Sequence, residues 1–374
     1  MDADALVLRE PRQLGIERFA VPELGDDDGI LRVEACGLCG TDHEQYTGHI
    51  KAPGPFIPGH EIVGIVEALG PKAAARWGVA VGDRVAVEVF LSCRECPACL
   101  AGEYRRCARH GVRHFYGFIP SAEAPGLWGG YATHLYLHPD AQLLPVPAAL
   151  DPVTATVFNP LGAGIRWGVT VPDLQPGAVV AVLGPGVRGL AVAAAAKDAG
   201  ASMVLMTGLG ARDAERLALG SSFGVDVTVD VAEADPARVL RGETGGTLAD
   251  VVVDVTAKAP GAFAQAVALA RPGATVVVAG TRGAGPGQTP GFDPDHVVYK
   301  ELRIQGALGV DVTAYRAAFD LLASGRYPFA DLPRRVVGLG DAEDLLRTMS
   351  GEASASEPGK HHDGVPPVHG VIKP

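Results

Sequence analysis

Aromatic residues make up only 6% of this 374-residue chain, and no run of lysine or arginine interrupts it. Stacking platforms for nucleobases are therefore missing. Lys+Arg 32 against Asp+Glu 43, a formal charge of −11, argues further against a nucleic-acid partner. A membrane span is lacking too. The most apolar stretch, Ala178–Ala196, is broken by Pro185, Arg188 and glycines at 184, 186 and 189, which suits a buried strand, turn and helix. The opening residues, MDADALVLRE, are acidic and lack the charged-then-apolar layout of an export signal. The expectation is a cytoplasmic chain whose six cysteines stay reduced rather than forming disulfides. What the chain does have is core-forming material, 47% hydrophobic residues against 20% charged, at a length that suits two globular domains. Its 49 glycines and 29 prolines point to many tight turns.

Three zones differ in pattern. Over residues 1–150, short β-rich runs (Leu31–Glu34, Gly64–Ala68, Arg84–Val89, Ala132–Leu137) alternate with Gly/Pro turns and predict an irregular all-β domain. From 176 to 308, apolar runs at Ala178–Leu183, Ser202–Met206, Asp250–Val255 and Ala274–Ala279 alternate with helical segments such as Gly189–Ala199. That alternation predicts a parallel sheet of βαβ units. Beyond 310, Ala314–Leu322 and Ala342–Met349 read as helices, Ser350–Pro367 as an exposed loop and Val368–Lys373 as a closing strand.

Cys93, Cys96, Cys99 and Cys107 stand at C-x2-C-x2-C-x7-C spacing. Four thiolates on one short loop can close a tetrahedron around Zn2+ with no open position, which defines a structural site. Arg94, Arg105 and Arg106 are placed to offset the negative charge of such a centre. An iron–sulfur cluster is the alternative, but no second cysteine set or electron-transfer context accompanies the loop.

A second donor set is open. ACGLCGTDHEQYTG followed by PGHEIVG brings Cys39, Thr41 and Asp42 ahead of His60 and Glu61, and thiolate, imidazole and carboxylate are the ligands of a catalytic zinc that keeps one position for substrate. Cys36 reads as a small buried apolar residue. GHE-x2-G, Cys-Gly-Thr-Asp upstream of it and the four-cysteine loop downstream resemble the zinc-dependent alcohol dehydrogenases of the medium-chain dehydrogenase/reductase superfamily. GDRV at Gly82–Val85, GGYA at Gly129–Ala132 and KEL-x-I-x-G at Lys300–Gly306 extend the resemblance over nearly the whole chain.

The resemblance implies an α/β fold: a GroES-like β-rich catalytic domain at 1–155, with a structural zinc lobe at 91–110 and completion by 306–374, plus a Rossmann doubly wound parallel sheet at 156–305. It implies one catalytic and one structural Zn2+. Cys39 and His60 match catalytic ligands, and Glu61 matches a glutamate that ligates the metal in the polyol-dehydrogenase branch. Asp42 matches the acid behind the ligating histidine, and Thr41 the hydroxyl that takes the substrate proton. Two positions depart from the family. Asn159, in FNPLGAG, stands where a third charged ligand is usual, and Glu44, with His43 beside it, replaces the relay histidine.

Residues Val179–Gly189, VVAVLGPGVRG, form a strand followed by Gly184-x-Gly186-x-x-Gly189. Gly184 permits the tight turn, Gly186 the approach of a pyrophosphate and Gly189 close helix packing, with Pro185 and Val187 between them. The cofactor is NAD or NADP. The second strand ends in Thr207 and Gly208 without an acid, Arg212 and Arg216 suit a 2′-phosphate, and Asp213 and Glu215 suit ribose hydroxyls. Thr256 and Gly280 end later strands, where the ligand crevice is expected. Phe90, Phe118, Trp128 and Leu308 are candidates for an apolar substrate wall.

The activity implied is reversible hydride transfer between a small-molecule alcohol, secondary or polyol-like, and NAD(P), in a homodimer or homotetramer. A zinc-free enone or quinone reductase of the same superfamily and a non-catalytic NAD(P)-binding homologue remain as alternatives.

Overall fold

A computed structural model describes residues 1–52, 54–257, 259–281, 289–352 and 367–374. The chain forms two compact units, the first made of Met1–Phe158, Asp311–Ser324 and Phe329–Pro374, the second of Asn159–Val310 and Gly325–Pro328.

In the first unit a seven-stranded sheet is organised around Gly29–Leu38. This strand pairs antiparallel with Glu61–Leu69, His134–Leu137 and His369–Ile372, and its residues are buried almost throughout. Enclosure of that kind explains an apolar run where simple alternation would be expected of a half-exposed strand. His369–Ile372, the expected closing strand, is flanked on its other side by Arg334–Val337 in parallel. Sequence patterning missed the hairpin Asp2–Glu10/Gln13–Ala20. Its turn places Arg12 at φ 63, a left-handed position normally signalled by Gly or Asn. The zone is not purely β: helices Gly40–Tyr46 and Pro71–Trp77 interrupt it. Trp128 does not line a pocket; it packs edge-on against Tyr136 at 5.1 Å inside the core and donates from Nε1 to the Glu123 carbonyl.

In the second unit six parallel strands run in the spatial order Val227–Asp230, Met203–Gly208, Val179–Leu183, Ala249–Asp254, Ala270–Val278, Arg303–Gly306. Numbered by sequence this is 3-2-1-4-5-6, the doubly wound dinucleotide-binding order, with its switch point between Val179–Leu183 and Ala249–Asp254. VVAVL and ADVVVD are Val-rich because both faces of their strands are covered. The helix Val187–Asp198 follows the first strand, its alanines buried. Its small residues permit close packing: a Cβ on Gly164 would lie 2.5 Å from the Ala191 backbone. The helix expected over Ala314–Leu322 spans Val312–Ser324, and Ala342–Met349 is helical as read. Of the loop expected at Ser350–Pro367, residues 353–366 lie outside the described residues. No helix among the described residues is long and apolar enough to cross a membrane.

Candidate active site and metal centres

Cys39 is the N-cap of the helix Gly40–Tyr46, and its Sγ accepts the Thr41 N–H at 3.3 Å. Asp42, in the first turn, returns the contact: its Oδ2 accepts the Cys39 N–H at 2.8 Å, a capping box with sulfur in place of the usual hydroxyl. The Thr41 N–H, in the first turn of the helix, is thus aimed at the Cys39 sulfur. Asp42 is buried and also accepts the Tyr131 hydroxyl at 2.9 Å, while its Oδ1 lies 3.4 Å from His60 Nδ1. A carboxylate behind a histidine fixes ring orientation and strengthens the ring as a donor. Cys39, His60 and Glu61 each offer a donor atom within 4.8 Å of the others, all three buried. Three buried donors of this kind, with a carboxylate behind the imidazole, suit a divalent zinc ion with one position open.

Backbone constraints hold this trio. Gly59 has φ +91, and a Cβ there would fall 2.4 Å from the Tyr131 ring. A Cβ on Gly37 would come 2.3 Å from Glu61 Oε2, so the carboxylate lies directly over bare backbone. Gly37 and Tyr131 lie within the ACGLCGTDHEQYTG and GGYA motifs, but their contacts come from the fold: strand pairing sets Gly37 opposite Glu61, 24 residues away, and the Tyr131 hydroxyl reaches Asp42. Cys36 is fully buried outside the trio, as read from sequence, and burial raises its thiol pKa well above the ordinary range. His43 turns to Glu352, Nε2 to Oε1 3.1 Å, where Arg12 also binds. Glu44 is buried in the same helix.

The sulfurs of Cys93, Cys96, Cys99 and Cys107 also lie within 4.8 Å of one another, with Cys93 and Cys99 3.7 Å apart. Zn–S bonds of about 2.3 Å in a tetrahedron put sulfurs roughly 3.8 Å apart, so the cluster fits a structural zinc. Backbone N–H groups of Ala108 and Cys99 draw the Cys96 thiol down to about 6. Burial pushes Cys107 up, but N–H groups of His110, Cys93 and Arg109 outweigh it and bring the thiol down. Of the three arginines expected to neutralise the cluster, Arg94 stands near Cys93 and Cys99 while donating to Pro139 and Ala141 carbonyls. Arg105 and Arg106 turn instead to Asp311 and Glu103.

A third group, His110, His138 and Asp140, escaped the sequence reading because its members belong to no shared motif. Arg109 and Arg94 stand 3.2 Å and 3.6 Å from Asp140, which neutralises the carboxylate and disfavours a cation there.

In the second unit Gly184 takes φ +105 at the switch point, and a Cβ on Gly189 would strike the Gly184 carbonyl oxygen at 1.9 Å. Gly186 has nothing within 4 Å of its Cβ position, the open cradle that a pyrophosphate requires. Pro185 and Val187 complete this turn, and Val187 begins the helix. Thr256 is fixed by hydrogen bonds from its N–H and Oγ1 to Asp254, and Gly280 packs on the Thr256 carbonyl. Thr207 ends the neighbouring strand, its carbonyl accepting the Gly184 N–H. Asn159 Oδ1 faces Arg188 Nη2 at 3.5 Å, and Arg188 also lies over the Trp167 ring. Leu308 is exposed, whereas Phe90 and Phe118 are buried.

Residues 25–148 match the alcohol dehydrogenase GroES-like domain, and 188–324 match the zinc-binding dehydrogenase family. The "Probable alcohol dehydrogenase" of Mycobacterium tuberculosis is 65% identical over 99% of this chain and 98% of its own length. The chain belongs to the zinc-dependent alcohol dehydrogenase family. An erythritol/L-threitol dehydrogenase of Mycolicibacterium smegmatis is 32% identical over 67% of the chain and 69% of its own. A zinc-binding dehydrogenase of Sinorhizobium meliloti, crystallised with NADP, superposes with a TM-score of 0.81 at 27% identity and covers 100% of both chains. As a member of this alcohol dehydrogenase family the protein is an oxidoreductase that acts on a small molecule, and the GroES-like and Rossmann folds expected from its motifs are those observed.

Proposed function

We propose that the chain catalyses reversible oxidation of an alcohol, secondary or polyol-like, to its carbonyl compound. The first unit supplies catalysis and the second binds NADP(H). The convergence of Cys39, His60 and Glu61, with Asp42 behind the histidine, carries the reading. Cys39, His60 and Glu61 would hold a zinc ion, which would supply Lewis acidity to an alcohol oxygen, and the Gly184–Gly189 turn would hold the nicotinamide cofactor that would supply hydride chemistry. Thr41 receives the hydroxyl proton and passes it towards Glu44, since the His43 ring is engaged by Glu352. Asn159 is neutral and faces Arg188, so the metal rests on Cys39, His60 and Glu61. The thiolate cluster on Cys93, Cys96, Cys99 and Cys107 holds a second, structural zinc. A trio of metal donors favours this dehydrogenase over a zinc-free enone reductase.

Three observations favour NADP. Gly208 stands where an NAD-selective acid would end the strand, and a Cβ there would meet Leu217 at 2.9 Å and Asp213 at 3.0 Å. Asp213 is buried and turned inward to the Leu209 N–H at 3.0 Å. Arg212 is exposed beside it, and Arg216 follows one turn later, both within reach of a 2′-phosphate.

A panel of alcohols assayed with NADP and NAD at the nicotinamide absorbance, on protein analysed for zinc, tests the whole reading. Turnover with two equivalents of zinc is expected, and absence of turnover in fully zinc-loaded protein would overturn it. Arg212→Ala should raise the NADPH dissociation constant about tenfold and leave that of NADH unchanged. Equal effects on both would refute the NADP assignment.

A further inference from the structure

His369, at the start of the strand His369–Ile372, is a buried imidazole that the proposed mechanism leaves unused. It is 1% exposed, and neither ring nitrogen has a hydrogen-bond partner among the described residues. Burial, with the Arg334 charge added, pushes its pKa from the ordinary 6.5 down to about 3. The ring is therefore neutral near pH 7, with one N–H to donate and one lone pair to accept. Buried polar groups ordinarily find partners, because leaving them unmet in a protein interior is costly. Arg334, beside His369 in the parallel ladder, is no such partner. It gives Nη1 to Thr154 Oγ1 at 3.1 Å and Nη2 to the Phe329 carbonyl at 2.5 Å. Arg334 Nε is itself buried without a partner.

Strand register fixes the direction of the ring. Gly370 pairs with Leu38, and Val371 with Gly37. A Cβ on Gly370 would lie 3.3 Å from both Leu38 Cβ and Leu345 Cδ2, towards the helix Ala342–Met349. Alternation along the strand sends its neighbour His369 to the opposite face, together with Val371. On that face Gly37 points at Glu61 Oε2. One rung beyond Gly370 and Leu38, the same ladder sets His369 opposite Cys39, whose backbone is still extended (φ −101, ψ 155) before its helix begins. Residues opposed in this way stand about 5 Å apart, Cα to Cα. The unmet imidazole thus shares a face with two of the proposed metal donors, Cys39 and Glu61, on the strand next to the one that leads into Cys39.

A neutral imidazole that can both donate and accept complements a hydroxyl group, which does the same. We infer that His369 hydrogen-bonds a second hydroxyl of the substrate, on the carbon next to the one oxidised, and so selects vicinal diols and polyols over simple alcohols. This rests on the alcohol dehydrogenase reading above. The test compares kcat/KM for butane-2,3-diol and butan-2-ol in the zinc-loaded parent, His369→Leu and His369→Gln. The parent should favour the diol about tenfold. In His369→Leu the diol-to-monoalcohol ratio should fall to about one while the rate with butan-2-ol holds. His369→Gln, which keeps a donor and an acceptor, should retain part of the preference. Because leucine removes an unmet polar group, the urea midpoint of His369→Leu should match or exceed that of the parent. An imidazole satisfied by a trapped water would instead lose stability on substitution and lower both rates together, which overturns the subsite. A ratio near one in the parent, or one unchanged in His369→Leu, also overturns it. So does an effect confined to the NADPH dissociation constant, which would give the ring to the cofactor. A second readout needs no turnover: histidine-labelled, zinc-loaded protein with NADPH, its His369 ring nitrogens assigned by the nitrogen NMR signals missing from His369→Leu. Those signals should shift with butane-2,3-diol and not with butan-2-ol. That shift without turnover would keep the subsite while the dehydrogenase reading fails. Equal shifts with both alcohols, or none, overturn it.

Discussion

Glutamine at position 88 should make the protein less sensitive to alkali. Glu88 is fully buried beside the strand Arg84–Val87, where Oε1 accepts the Phe90 N–H at 3.2 Å and Oε2 meets the Tyr104 hydroxyl at 2.7 Å. The Tyr104 oxygen in turn accepts the Val312 N–H at 2.8 Å, so this carboxyl ties the Asp311–Ser324 segment into the first unit. Burial pushes the Glu88 carboxyl from its ordinary 4.5 to about 8, against the opposing pull of the Tyr104 and Phe90 hydrogen bonds. A folded pKa above the unfolded one means that the folded state binds more protons between those values. Stability from this group is therefore complete below the unfolded pKa and is lost as pH rises through the folded one. At about 1.4 kcal/mol per unit the full span corresponds to roughly 5 kcal/mol, of which about 2 kcal/mol falls between pH 6 and pH 8. The amide of Glu88→Gln is neutral like the protonated carboxyl, keeps an oxygen to accept the Phe90 N–H, offers N–H donors towards the Tyr104 oxygen, and does not titrate. Urea unfolding of the zinc-loaded protein should show the variant exceeding the parent by about 2 kcal/mol near pH 6 and by about 4 kcal/mol near pH 8, the gap widening by about 2 kcal/mol. Parallel pH profiles for the two proteins would refute the reasoning.

Cys39→Ala should lower turnover about a thousandfold or more and remove one zinc per chain while circular dichroism stays unchanged; undiminished turnover would defeat the zinc mechanism. Cys107→Ser should release the other zinc and open the 91–110 lobe to limited proteolysis, and a lobe that stays resistant without zinc would show that metal is not what holds it. Gly37→Ala drives a methyl into the space of Glu61 Oε2, so zinc affinity at the Cys39 site should fall about tenfold or more, measured by chelator competition. Unaltered affinity would mean that Glu61 is not a ligand.

Legibility followed the range of the contact. C-x2-C-x2-C-x7-C and the Gly184–Gly189 turn were readable because their members are neighbours in the chain, and local backbone geometry delivers sulfurs to one point or leaves a bare amide for a phosphate. The hairpin at residues 2–20 was missed because Arg12 occupies a turn position that glycine would have announced. Trp128 was one of four candidates for an apolar substrate wall, and its packing against Tyr136 places it in the core.

Sequence by itself picked out the four-cysteine loop and the nucleotide turn, which depend on residue type at short spacing, and family resemblance supplied the Cys39, His60 and Glu61 set and the kind of fold. Tertiary structure decided which long-range partners act on them. Strand register sets Gly37 under Glu61, the Tyr131 hydroxyl binds Asp42, and Glu352 engages the His43 ring. Such pairings span tens to hundreds of residues and depend on which face of a strand or helix meets which neighbour, which no local pattern encodes.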